Sequence, residues 1–163
     1  MLKEINCDQF IEPKIVFTNG LNSIVGDDIS TNSIGKSTFL MILDFVFGGN
    51  TFLNNNSGSI EHVGDFKFSF QFIFDSGDFY FSRQTKNPEI ISVCDEKYNS
   101  LSEITLKEYT NILLEKYEVN YSNISFRDVV SLFSRIWGKY NYSVDKPLLS
   151  FPKEADEVSI YRI

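Results

Sequence analysis

Five phenylalanines at every second position limit most strongly what this chain can fold into. In residues 66–74 these rings alternate with three polar residues and one isoleucine. A period of two places alternate side chains on opposite faces of a β-strand, so the segment predicts a strand with one buried face. A turn sequence follows at 75–78, and strand-like runs follow at 79–83 and 89–94. Together they predict an antiparallel meander.

Composition predicts a single domain spanning residues 1–163. The 163-residue chain is 42% hydrophobic and 15% aromatic, which suffices for one packed core. Its net charge of -7 argues against a basic groove for nucleic acid, so any DNA contact must be local or come from another part. The apolar runs are far shorter than the ~20 residues that span a bilayer. The first residues also lack the order of a signal peptide, so we expect a cytoplasmic protein without membrane contact.

A β-hairpin is predicted near the start of the chain. Two short runs rich in β-branched residues, 14–17 and 21–25, flank an Asn-Gly pair at 19–20. Asn-Gly is a strong signal for a two-residue turn between strands. A polar loop is predicted to follow over 27–34.

An apolar helix is predicted after this loop. The sequence Gly-Lys-Ser-Thr at 35–38 opens it, residues 39–47 supply the apolar run, and Gly48-Gly49 is typical of a helix end. The next residues, 51–59, are rich in Asn, Ser and Gly, and this composition predicts a mobile loop.

Two further helices are predicted in the second half. Residues 105–114 place apolar side chains at helical spacing, and Ser125 is a favourable N-cap for another helix that Gly138 ends. The inner face of that helix is predicted to carry Phe126, Val129, Val130, Leu132, Phe133 and Ile136. Residues 159–163 stop in an apolar pattern without a cap, and we expect the natural protein to continue the fold.

The order strand, polar loop and helix around Gly35 is typical of a polyphosphate-binding loop. Such a loop needs converging backbone N–H groups, a helix N-terminus, a lysine for the β- and γ-phosphate oxygens and a hydroxyl for Mg²⁺. Gly35 would allow close approach of the backbone and Lys36 would supply the cation. Ser37 would bind Mg²⁺, and Thr38 would add a hydroxyl and an N–H toward the α-phosphate.

The predicted cofactor-binding segment extends upstream of the glycine. It comprises Ser30, Thr31, Asn32, Ser33, Ile34, Gly35, Lys36, Ser37 and Thr38. Ser30 stands where the usual pattern has its first glycine, and Asn32 is the residue best suited to a left-handed backbone. The alternative is a plain helix start with a solvated Lys36. The flanking strand and apolar helix favour the phosphate loop.

Three segments resemble a known family. Residues 20–27 and 32–38 are similar to the N-terminal half of the ABC-type ATPase heads of the SMC, RecF and RecN group. Residues 40–49 resemble the helix after the loop in SMC-like AAA family ATPases of bacterial three-component and phage-defence systems. Residues 125–130 resemble an arginine-containing helix of that subgroup. The resemblance implies an α/β P-loop NTPase of ABC/SMC-head type, whose N-terminal lobe carries an antiparallel meander and flanking helices.

The same resemblance implies a function. It implies ATP and Mg²⁺ as cofactors, a homodimer of heads formed through ATP, and a role in DNA repair or antiphage defence. The C-terminal half of the same head would supply the catalytic carboxylates, and a signature loop would act on the second head. Contacts with DNA and partner proteins would come from other regions. No signature loop occurs in these residues, and neither Gln71 nor Gln84 takes a clear Q-loop position, so no catalytic residue is assigned.

A possible Walker B sequence occurs at residues 90–96, where four apolar residues and a serine precede Asp95 and Glu96. A Walker B strand lies parallel to the strand before the phosphate loop and is reached by a crossover. This run follows a predicted hairpin instead. We therefore predict a meander strand ending in an acidic turn.

Other isolated residues favour structural roles. His62 is expected at the surface or as a cap, and Cys7 and Cys94 as reduced thiols that cannot complete a four-ligand zinc site. A group of aromatic and basic residues is expected in the core or an interface rather than in base stacking. It comprises Trp137, Lys139, Tyr140 and Tyr142.

Two other functions remain open from the sequence. One is a non-hydrolysing regulatory or interaction module that keeps a degenerate phosphate loop for structure alone. The other is a small P-loop kinase, which the long antiparallel meander disfavours because such kinases have a compact parallel sheet.

Overall fold

A computed structural model describes residues 1–24, 35–120 and 124–133. The chain divides into two compact units. The first comprises Met1–Val25 and Asn56–Tyr109, and the second comprises Gly26–Asn55 and Thr110–Ile163. Each unit is therefore built from two separate stretches of sequence.

The described residues form six strands and five helices. The strands are β1 (Leu2–Asn6), β2 (Lys14–Val16), β3 (Lys67–Phe74), β4 (Gly77–Gln84), β5 (Ile90–Cys94) and β6 (Ser100–Thr105). The helices are α1 (Lys36–Val46), α2 (Thr51–Asn55), α3 (Ser57–Val63), α4 (Leu106–Lys116) and α5 (Phe126–Phe133). No helix among them is long and apolar enough to cross a membrane.

The strands form one sheet in the first unit. Its order is β2-β1-β3-β4-β5-β6, and every neighbouring pair is antiparallel. This confirms a mixed α/β chain and the predicted meander of β3, β4 and β5. The meander also continues into β6, which the sequence pattern did not predict.

The phenylalanine stripe forms the core of the first unit, as predicted. Register places Ile5, Phe70 and Phe81 opposite one another on adjacent strands, so they share one face of the sheet. All three are buried. Tyr109 packs on this face with ring centroids 6.1 Å from Phe70 and 5.1 Å from Phe81. Ser69 and Gln71, which alternate with the rings, are also buried, so the middle of β3 is covered on both faces and the prediction of a single buried face is wrong there.

The predicted pairing of residues 14–17 with residues 21–25 in a hairpin is wrong. Strand β2 pairs with β1, and residues 21–24 form neither strand nor helix. The side chain of Asn22 explains the difference: its Oδ1 accepts from the Thr18 N–H at 2.9 Å, and its Nδ2 donates to the Thr18 carbonyl at 2.9 Å. The Asn-Gly turn is therefore closed by a side chain rather than by a second strand.

The predicted mobile loop over 51–59 is also wrong, because α2 and α3 occupy most of it. Phe52 is buried and packs against Phe45 at 6.0 Å between ring centroids. The Thr51 N–H donates to Asp44 Oδ2 at 3.3 Å. The buried ring of Phe52 and the hydrogen bond from the Thr51 N–H thus stabilise α2 despite its polar composition.

The three predicted helices are confirmed at their described ends. Thr105 and Glu108 form a reciprocal cap at the start of α4, since the Thr105 N–H donates to the carboxylate at 2.7 Å and the Glu108 N–H donates to Thr105 Oγ1 at 3.2 Å. Ser125 and Asp128 repeat the arrangement at α5. Phe126 and Val130 are buried, whereas Gly138 and the predicted aromatic group at 137–142 lie outside the described residues.

Candidate functional site

The site predicted from the sequence begins at the N-terminus of α1. Lys36 is the first residue of this 11-residue helix and Gly35 is its N-cap. The Phe39 N–H donates to the Gly35 carbonyl at 2.9 Å, which closes the first turn. The first turn contains no acidic residue. Because the N-terminal end of a helix is electropositive, this turn and the Lys36 ammonium together favour an anion.

The structure describes residues 35–38 of the predicted phosphate-binding segment. Lys36, Ser37 and Thr38 are half-buried on the first turn of α1, and Gly35 is exposed before them. The other predicted residues lie outside the described part of the chain; they are Ser30, Thr31, Asn32, Ser33 and Ile34. The structure therefore describes only the residues at the start of α1, and residues 21–24, part of the strand predicted before the loop, form neither strand nor helix.

Gly35 has an ordinary backbone conformation, with φ −101° and ψ −37°. Among the described residues, no atom lies within 4 Å of a Cβ placed at this position. The described part of the chain therefore leaves open space beside the Gly35 backbone.

Gly48 and Gly49 cap the C-terminal end of α1, as the sequence predicted. Gly48 has a left-handed φ of 86°. The Gly48 N–H donates to the Phe45 carbonyl at 3.0 Å and the Gly49 N–H to the Asp44 carbonyl at 2.7 Å. This pair of bonds is the Schellman arrangement. Both ends of α1 are therefore defined.

A buried ion pair links this end of α1 to α5. Asp44 Oδ1 contacts Arg127 Nη2, and the Asp44 side chain is fully buried while that of Arg127 is 25% exposed. Arg127 Nη1 also donates to the Phe47 carbonyl at 2.8 Å. The two residues lie 83 positions apart in the sequence, and no sequence pattern predicted their contact. An acidic residue within an apolar helix was the available signal, since a buried carboxylate needs a partner.

Three aromatic rings pack against one another near the C-terminal end of α1. Phe47 lies 6.1 Å from Phe126 and 6.4 Å from Tyr117 between ring centroids, and Tyr117 lies 5.8 Å from Phe126. The rings join the C-cap of α1, the turn after α4 and the first residue of α5 within the second unit.

The apolar part of the possible Walker B sequence forms the antiparallel strand β5, as predicted, and Asp95 and Glu96 follow its end. Asp95 Oδ1 accepts from the backbone N–H groups of Lys97 and Asn99, both at 2.9 Å. Hydrogen bonds from the Asn99 side chain and backbone hold the pKa of Asp95 below its ordinary value. Asp95 therefore organises the turn between β5 and β6.

A second polar cluster, which the sequence analysis missed, lies in the sheet around Glu4. Its carboxylate contacts Lys14 Nζ at 2.6 Å and accepts from Tyr98 Oη at 2.9 Å and Asn6 Nδ2 at 3.1 Å. Burial alone would raise the pKa of Glu4, but these donors outweigh it and lower the pKa. Burial and the bond to Glu4 raise the pKa of Tyr98. Lys14, Tyr98 and Asn6 all bind the Glu4 carboxylate, so the cluster joins β1, β2 and the turn after β5.

The remaining candidate residues have structural positions. His62 is exposed on α3, and Cys7 and Cys94 are both buried free thiols. Gln71 Nε2 donates to Asp78 at 3.0 Å within the sheet. Among the described residues no three His, Cys, Asp or Glu side chains are grouped to hold a metal ion.

Comparisons with protein-family models, with curated proteins and with solved structures found no match to this chain.

Proposed function

We propose that this chain is the ATP- and Mg²⁺-binding lobe of an SMC-like ATPase head, a cytoplasmic protein that acts in DNA repair or antiphage defence. One observation carries the proposal: Gly35, Lys36 and Ser37 lie at the start of a helix whose first turn has no acidic residue. This is where a phosphate loop requires its glycine, lysine and hydroxyl. The resemblance to ATPase heads supplies the wider biology.

Each residue has a distinct task in this proposal. Lys36 neutralises the β- and γ-phosphate oxygens, and the first turn of α1 donates N–H groups to them. Ser37 and the phosphates hold Mg²⁺, while Thr38 contacts the α-phosphate. The open space beside Gly35 admits a phosphate close to the backbone. Residues 30–34 complete the loop.

The antiparallel sheet fits only one part of such a protein. A phosphate loop normally follows a strand of a parallel sheet, whereas the described sheet is antiparallel and belongs to the first unit. The proposal assigns this sheet to the antiparallel layer of the N-terminal lobe. Parallel strands and the catalytic carboxylates then come from the C-terminal half of the head, and a homodimer forms through ATP. DNA and partner proteins bind elsewhere.

Replacement of Lys36 tests the proposal. Lys36→Ala removes a charge-assisted bond worth roughly 1.5–3 kcal/mol, so we expect ATP affinity in the presence of Mg²⁺ to fall at least about tenfold. Isothermal titration calorimetry measures it directly. Lys97→Ala is the matched control, because Lys97 is exposed on the turn after β5 and its loss changes the net charge equally.

Two results would contradict the proposal. One is equal ATP affinity in the wild type and in Lys36→Ala. The other is a folded wild-type protein that binds no ATP, which would favour a regulatory module with a degenerate loop. An equal loss of affinity in Lys97→Ala would show that net charge, and not this site, attracts the nucleotide.

A further inference from the structure

The guanidinium of Arg127 holds the C-terminal end of α1 at two points. One nitrogen contacts the Asp44 carboxylate, and another donates to the Phe47 carbonyl at 2.8 Å. Asp44 lies on the last turns of α1, and Phe47 is its C-cap. A planar fork that reaches both a side chain and the helix end restrains the position and the direction of the helix.

The Asp44 carboxylate is itself confined. The Thr51 N–H donates to its second oxygen at 3.3 Å. A Cβ on Gly49 would collide with the carboxylate, so the glycine allows the chain to turn closely around it. Asp44 is fully buried. The carboxylate therefore has little room to move, and its contact with Arg127 restrains the position of α1 relative to α5.

We propose that Arg127 is a positioning residue for the nucleotide site at the other end of α1, an inference that rests on the proposed function. Lys36 and Asp44 are eight positions apart, which corresponds to about 12 Å along a helix axis. A tilt of about 10° at the held end would move Lys36 by about 2 Å over that length. Displacements of this size are large compared with the tolerance of charge-assisted bonds to phosphate. Arg127 thus determines ATP affinity without touching ATP.

The fork geometry makes lysine an incomplete substitute. Arg127→Lys keeps a positive charge next to Asp44, but a single ammonium does not reproduce the two-point contact with the carboxylate and the Phe47 carbonyl. Arg127→Ala removes both contacts. The pair of variants therefore separates the charge from the geometry.

The experiment measures ATP affinity in the presence of Mg²⁺ for the wild type, Arg127→Lys and Arg127→Ala, at a temperature where circular dichroism shows each to be folded. We expect affinity to fall about threefold in Arg127→Lys and about tenfold in Arg127→Ala. Phe70→Leu is the control, because it lowers stability in the first unit without changing α1 or α5. Its melting temperature should fall while its affinity stays at the wild-type value.

The outcomes separate this inference from the proposed function. Wild-type affinity in folded Arg127→Lys and Arg127→Ala would overturn the positioning role while the ATP site stands. If Arg127→Ala does not fold, the affinity of Arg127→Lys alone decides. A loss of affinity in Phe70→Leu as large as in the arginine variants would also overturn it, since general destabilisation would then explain the effect. A wild type that binds no ATP contradicts the proposed function itself.

Discussion

The two compact units each contain an ion pair, but the two pairs lie in opposite surroundings. In the first unit Lys14 contacts Glu4 across β1 and β2, with side chains 52% and 13% exposed. In the second unit Arg127 contacts Asp44, with side chains 25% and 0% exposed. Water can replace the lysine at Glu4, but it has little access to Asp44. An ion pair between a carboxylate and a basic side chain therefore contributes differently to stability in the two units.

Removal of the buried carboxylate should have the largest effect. Asp44→Ala removes the carboxylate that accepts from Arg127 Nη2 and from the Thr51 N–H in a largely buried place, and we expect a loss of about 3 kcal/mol in the free energy of unfolding. Urea unfolding measures this loss. The matched variant Glu4→Ala should cost about 1 kcal/mol, because its donors can reach water. Equal losses in the two variants would contradict the comparison.

The sequence predicted local structure better than long-range contacts. The phenylalanine period is local, and it correctly predicted β3 and the burial of its central rings, but not the burial of Ser69 and Gln71 between them. Strand β1 has no such period, and it is fixed by pairing with β3 more than sixty residues later. Its existence thus depends on a partner that no local pattern identifies.

At the candidate site, too, the sequence predicted local structure but not long-range contacts. Helix α1 and both of its ends followed from glycines and an apolar run, which act within a few residues. The contact between Asp44 and Arg127 joins positions 83 residues apart. Composition was misleading at residues 51–59, where burial of Phe52 outweighed a polar sequence. Tertiary packing, and not propensity, decided these cases.

A smaller effect is expected from crowding the buried carboxylate. Gly49→Ala places a methyl group against Asp44, whose side chain cannot move aside because Arg127 and Thr51 hold it. We expect a loss of about 1–3 kcal/mol, measured by urea unfolding, as is usual for overpacked sites. Gly58→Ala on α3 is the control, since a Cβ there meets no atom within 4 Å. The control should be neutral or slightly stabilising, because alanine favours helix. A neutral Gly49→Ala would show that the carboxylate is not confined.

The smallest effect is expected at the exposed pair, and pH should reveal its origin. Lys14→Met removes one of three donors to Glu4 and should cost less than about 0.5 kcal/mol at pH 7. The pKa of Glu4 is lowered in the folded protein. Its contribution to stability is therefore complete above the ordinary carboxyl pKa, and it is lost as pH falls through the lower folded value. In Lys14→Met the folded pKa of Glu4 should rise toward its ordinary value, because one charged donor is gone. The difference in urea midpoint between wild type and variant should thus be present at neutral pH and close on acidification, when Glu4 is protonated in both proteins. A difference that persists at acid pH would mean that the methylene groups of Lys14, rather than its charge, stabilise this edge of the sheet.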